Sequence, residues 1–331
     1  MKNATLKKVL SWRLIGPAAV VAAVFWAGPA EIWAVLSGAR LPVVAGAMLL
    51  AVPLAVIKGI RWRLVLKVYE IDLPPGESTA MYAMGMTMAA VTPGHLGDFV
   101  KVLALTDRGH GLGRSVAANV VDRLLDVGFV LAIGYAGMWY FSQHFSARLR
   151  IAGLAFAAVL VVLVVLAARL HWVRAAAMRL VPSRFRAALA ASWDETVSGL
   201  WRHGHQRSAL LLVLTAGFWA VQFSAAYLCA AAIGLDVPFV YLSACLAVVT
   251  VASFVPITVA GAGTRDAILL VLLGQIGVAR ERSLALAGLI LATFVSNCAV
   301  FYLISLTGRP RRRRPDGGGL ASERCGDEDP Q

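Results

Sequence analysis

Apolar residues in this chain run in long blocks rather than in stripes. Crossing roughly 30 Å of hydrocarbon takes about 17 to 25 residues of helix, and six blocks qualify: about 14–34, 41–60, 120–142, 150–169, 208–233 and 284–307. Two further apolar regions are interrupted. Residues 78–92 and 96–105 are broken around Thr92-Pro93-Gly94-His95, and residues 239–255 and 266–277 by the stretch from Pro256 to Arg265. Arms of about 10 to 15 residues are short for a crossing, and proline and glycine end helices. Each pair therefore predicts a helical hairpin that enters and leaves on one side.

In order, the chain gives span, span, hairpin and span over about 14–142, and the same series over about 150–307. The first series starts on one side of the membrane and the second on the other. The expected fold is all-α: a polytopic helical membrane protein with inverted repeats and two re-entrant helical hairpins, in one transmembrane domain over residues 1–308. Such a plan sets a site near the midplane, between the halves. Residues 173–207 are too charged to insert, and Phe185, Leu189, Trp193, Val197 and Trp201 recur at every fourth position. That spacing predicts an amphipathic helix, either in the cytoplasmic headgroup layer or packed on the underside of the bundle. Residues 309–331 begin with Arg309 and Arg311 to Arg314 and continue in Gly, Ser, Asp and Glu, the pattern of a disordered tail drawn to anionic lipid.

Composition agrees with a bilayer environment. Hydrophobic residues make up 59% of the 331 and charged residues 15%, against roughly 25% charged in soluble domains; the mean hydropathy is +0.74. The 31 Lys and Arg against 18 Asp and Glu give a net charge of +13. Their placement matters more than their sum. Lys2, Lys7, Lys8 and Arg13 precede the first span, Lys58, Arg61, Arg63 and Lys67 follow the second, and seven arginines from Arg169 to Arg207 follow the fourth. The opposite loops hold only Arg40, Arg148, Arg150, Arg280 and Arg282. The bias of basic residues toward the cytoplasm predicts a multi-pass protein of the cell membrane with both termini cytoplasmic. Excess charge is then topogenic, and nucleic acid is not an expected partner. The first span has Pro17 within it and lacks a small-residue cleavage pattern, so it reads as retained. Cys229, Cys245, Cys298 and Cys325 lack the paired spacing of a metal or redox motif, and no cofactor is expected.

A charge at the bilayer centre costs about 2.5–3.5 kcal/mol on insertion scales, so ionisable residues within apolar runs mark candidate chemistry. The first cluster is Pro93, Gly94, His95, Gly97, Asp98 and Lys101 at the first hairpin break, where Asp98 and Lys101 are spaced to pair at i and i+3. The second is Asp122, Arg123 and Asp126 at the start of the third span. The two carboxylates share a helix face, and Arg123 is spaced to reach Asp126. The third is Gly261, Gly263, Arg265 and Asp266 at the second break, where glycines leave amides at a helix start, a natural anion site. Hairpin breaks in both halves, each with a basic residue, predict a shared cavity for a phosphate-bearing headgroup. No H-E-x-x-H, G-x-S-x-G or Walker sequence is present, so transport would be passive or ion-coupled. Two other readings are an intramembrane enzyme using His95, Asp98 and Asp126 as acid and base on a lipid phosphate, and a membrane subunit serving a separate lipid-modifying enzyme.

At these residues the sequence resembles the transmembrane region of the lysylphosphatidylglycerol synthase/flippase family, over about residues 10–308. That family carries P-G-R-x-G-E, E-R-x-x-D and late G-G-x-G-x-R-E motifs. Here they stand as Pro93-Gly94-His95-Leu96-Gly97-Asp98, Asp122-Arg123-Leu124-Leu125-Asp126 and Gly261-Ala262-Gly263-Thr264-Arg265-Asp266. Aspartate replaces glutamate in all three, and His95 replaces an arginine, which removes a permanent cation near neutral pH. The resemblance implies lipid handling, of aminoacylated phospholipids in some members and in isoprenoid or glycolipid pathways in others. Bifunctional members add a soluble aminoacyltransferase domain; here about 23 residues follow the last span, and that activity is not expected.

Overall fold

A computed structural model describes residues 28–92, 97–143, 205–253 and 263–307, with a few positions between 147 and 158. Most of the first span, the 150–169 span, the amphipathic segment and the tail lie outside the described residues. So do Pro93, Gly94, His95 and Gly261.

The described residues form helices joined by turns, with no strand among them, as the block pattern predicts. The elements are α1 (Pro29–Ser37), α2 (Leu41–Leu49), α3 (Ala51–Val68), α4 (Pro75–Val91), α5 (Val100–Thr106), α6 (Leu112–Tyr140), α7 (His205–Ala232), α8 (Phe239–Ser253), α9 (Thr264–Gly274) and α10 (Arg280–Thr307). Helices α2 and α3 form one apolar rod over Leu41–Val68, interrupted at Leu50. Pro53 accounts for the interruption, because its ring nitrogen cannot donate to the carbonyl of Leu49. That rod, Gln206–Ala232 and Arg280–Thr307 are each long and apolar enough to cross a membrane. Helix α6 has 29 residues and matching length, but Arg114, Asp122, Arg123 and Asp126 lower its mean hydropathy. Asp122, Arg123 and Asp126 are compensated inside the protein, and Arg114 pairs with Glu70 at the surface.

The interrupted regions fold as paired helices. Helix α4 has 17 residues, about 25 Å at 1.5 Å per residue. Its last carbonyls meet Thr92, which is extended, as the residue before a proline prefers. A 3₁₀ turn over 97–99 then leads into α5. Gly97 is required in that turn: a Cβ there would lie 2.2 Å from the Met88 carbonyl oxygen. Helices α8 and α9 make the second pair, α9 starting at Gly263 with φ +90°.

The two series pack in matching fashion. In the first, α3 lies on α4, α4 on α5 and α5 on α6; in the second, α7 lies on α8, α8 on α9 and α9 on α10. Across the halves α3 packs on α7, α4 on α10, and α6 on α8. The largest core cluster, around Phe218, Trp219, Leu242, Leu269 and Leu286, draws on both halves. A second, around Trp62, Leu66, Tyr82 and Leu105, fills the first half.

Candidate functional site

Seven charged side chains meet inside the first half, supplied by α3, the 97–99 turn, α5 and α6. Helical periodicity puts Lys58 and Arg61 on one face of α3, and Asp122 and Asp126 on the facing side of α6. Arg61 is fully buried. Its Nε and Nη2 donate to Asp122 Oδ1 at 3.0 and 2.7 Å. Its Nη1 and Nη2 donate to the two oxygens of Asp126 at 2.7 and 2.8 Å. Nη1 also donates to Thr215 Oγ1 on α7 at 3.1 Å. Lys58 Nζ donates to both oxygens of Asp126, at 2.7 and 2.6 Å, and rests 3.8 Å from the ring centre of Phe218.

The remaining charges tie the first hairpin to α6. Lys101 Nζ lies 3.0 Å from Asp98 Oδ1 and 3.6 Å from Asp122 Oδ2. It sits between the rings of Trp62 and Tyr82, at 4.4 and 4.5 Å from their centres, a cation–π corner that replaces part of its lost hydration. Asp98 Oδ2 accepts from Arg123 Nε at 2.8 Å and lies 2.7 Å from Nη2. Gly85 on α4 makes room for this, since a Cβ there would meet Lys101 Cγ at 2.6 Å. Counted formally, Lys58, Arg61, Lys101 and Arg123 face Asp98, Asp122 and Asp126, an excess of one positive charge. Arg123 is the most open member, with 29% of its side chain exposed.

The second hairpin contributes a separate cation. Arg265 Nε donates to Asp266 Oδ1 at 3.0 Å, and Nη2 lies 3.0 Å from the same oxygen. Nη2 is nevertheless buried with no aligned hydrogen-bond acceptor. The Gly263 amide, expected to be open to an anion, donates instead to Asp266 Oδ2 at 3.1 Å. Arg265 lines a cavity of about 230 Å³ between the halves. Leu54, Phe223, Leu246, Ile290 and Phe294 supply much of its apolar wall, with Gln222, Thr250, Ser253 and Asn297 among the polar lining residues. The cavity and the charged cluster adjoin: Phe218 under Lys58 and Met86 beside Arg123 belong to both.

Asp98 with Lys101 therefore pair as predicted, and Asp122 with Asp126 do share a face. Arg123 does not pair with Asp126; it turns to Asp98 on the hairpin, while Asp126 is filled by Lys58 and Arg61. These last two were expected to be topogenic charges past the end of a span. The helix instead continues to Val68 and buries both, at 2% and 0% exposure. Their signal was present in the sequence as an i, i+3 spacing, which shares one helix face as the i, i+4 aspartates of α6 do. Asp266 is a helix cap, and Gly97 a packing residue.

No curated protein matches the chain. The family described as lysylphosphatidylglycerol synthase TM region matches residues 13–300, which take in the charged cluster, both hairpins and the whole cavity lining up to Cys298. The chain belongs to that family and is a membrane protein related to lipid handling.

Proposed function

We propose that the protein translocates an anionic or phosphate-bearing lipid, with the headgroup received in the cavity between the halves and the acyl chains left in the bilayer. The observation that carries this reading is Arg265: a largely enclosed guanidinium at the wall of a mostly apolar cavity, paired on one side with Asp266 and with a buried Nη2 that lacks an aligned acceptor. Guanidinium groups bind phosphate through paired charge-assisted hydrogen bonds. The neighbouring cluster adds one uncompensated positive charge, which favours an anion beside it. On this reading the halves are inverted repeats, the interrupted regions are re-entrant, and both termini are cytoplasmic. The carboxylates of Asp98 and Asp126 are each held by two cations, an arrangement suited to fixing helices rather than to acid–base chemistry.

The test is translocation of a fluorescent anionic phospholipid in liposomes, measured together with thermal unfolding. Arg265→Ala is expected to slow translocation about tenfold or more, the scale of a lost charged hydrogen bond, with the unfolding midpoint nearly unchanged. Equal losses of rate and stability would reduce Arg265 to a structural ion pair.

A further inference from the structure

Asp126 receives two cations at once. Its oxygens accept from Lys58 Nζ at 2.7 and 2.6 Å and from the Arg61 guanidinium at 2.7 and 2.8 Å. An ammonium and a guanidinium are thus held side by side against one carboxylate, within a cluster that already counts four cations to three carboxylates. A net charge enclosed away from water is costly, and it is relieved in one of two ways: a proton leaves, or an anion arrives. Guanidinium groups keep their protons, whereas a buried ammonium can give its proton up. The choice lies between Lys58 and Lys101. Lys101 faces oxygens of two carboxylates, Asp98 and Asp122, and sits between Trp62 and Tyr82, rings that are no part of the cavity wall. Lys58 shares its carboxylate with Arg61 and rests on Phe218, which is part of that wall. Leu54, one turn before Lys58 on the same face of α3, belongs to the wall as well.

Around Lys58, α6 presents Asp126 and Asp122, the latter bonded to Arg61, and Arg123, which is turned to Asp98. From α4 comes the ring of Tyr82, its centre 5.8 Å from Nζ; Glu77 on the same helix pairs with Arg108 at 3.8 Å. From α7 come Thr215 and Phe218, while its ionisable residues His205, Arg207, Tyr227 and Cys229 lie about two turns or more along the helix. Helix α2 has no ionisable residue. Those of α10 are Arg280, Glu281 and Arg282 at its start, Cys298 in the cavity wall and the half-exposed Tyr302. Among the described residues, the carboxylates that face Lys58 are therefore Asp126 and, behind Arg61, Asp122. An anion in the cavity is the next negative charge it meets.

We infer that Lys58 is a proton-binding site linked to the cavity: Nζ takes a proton from water as the anion enters beyond Phe218, and returns it as the anion leaves. This rests on the proposed translocation reading and adds the coupling ion to it. Linkage is reciprocal, so proton and anion each strengthen the other's binding by the same factor. The experiment is calorimetric titration of the purified full chain in detergent with a short-chain phosphatidylglycerol, whose phosphodiester stays ionised throughout, in buffers of differing ionisation heat from about pH 6 to 9. Binding is expected to take up part of a proton toward the alkaline end, and the affinity to fall about tenfold over the range, a coupling of ordinary size. Lys58→Met, which leaves three cations to three carboxylates, should bind with no proton uptake and with an affinity that stays near the wild-type alkaline value at every pH. Lys58→Arg, a permanent cation, should be equally flat but near the acidic value, and it carries the test if the methionine variant does not fold. Binding without proton uptake in the wild type would overturn the inference and leave the translocation reading standing. Uptake that persists in either variant would also overturn it, by assigning the proton to another group such as Lys101 or His95. Failure of the lipid to bind at all would overturn both.

Discussion

Asp126 accepts Lys58 and Arg61 together, so its charge is matched more than once over. Removing it would leave two buried cations competing for Asp122, whereas removing Lys58 leaves three cations facing three carboxylates. Asp126→Asn is therefore expected to destabilise the protein by about 3–5 kcal/mol, as breaking buried pairs does. Lys58→Met should cost much less. Unfolding midpoints of the two variants in detergent would check the order, and a costlier Lys58→Met would contradict it. At this scale the sequence was legible where partners are local: Asp98 and Lys101 lie three residues apart and pair. It misled where a tertiary partner outcompeted a local one. Arg123 has Asp126 within reach along its own helix, but Asp126 is taken from α3, and Asp98 on the hairpin, whose Oδ1 faces Lys101, offers its Oδ2 to Arg123.

Helix limits were readable because proline and glycine punctuate them: α4 ends at Val91, capped by Thr92 before Pro93, and α9 begins just after Gly263. The faces were harder to read, since helices apolar all round carry no stripe to say which side packs on protein. Small residues give the answer only once the fold is known. On α6, Gly134 and Gly137 are spaced to match Ala247 and Ala244 on α8; a Cβ at 137 would come within 2.2 Å of the Ala244 Cβ. Close backbone approach at small residues is a main source of helix association in lipid. Gly137→Leu should push α6 from α8 and lower the unfolding midpoint by several degrees. Gly128→Leu, on the same helix with open space at its Cβ position, serves as control and should leave the midpoint unchanged.

The cross-half pairs, α4 with α10 and α6 with α8, bind each hairpin's long arm to the other half's last helix. The proposed inverted arrangement predicts that cysteines placed singly at Leu96 and Thr264, in a chain otherwise free of cysteine, are labelled slowly and from opposite sides of the membrane. Rapid labelling of both from one side would exclude it. The all-α, many-helix architecture was legible from the order of blocks and breaks. Which helix of one half meets which of the other was not, because hydrophobic blocks carry no address. The same pairing sets a schedule for synthesis. Helix α10 begins about 190 residues after α4 ends, so at roughly 5–20 residues per second the arm waits on the order of 10–40 s for the surface it packs on. The seven charges have no such wait. Lys58, Arg61, Asp98, Lys101, Asp122, Arg123 and Asp126 all lie upstream of α7, and Thr215 and Phe218 join them afterwards. The most expensive groups to hold in lipid can thus pair with one another while half of the protein is still unmade.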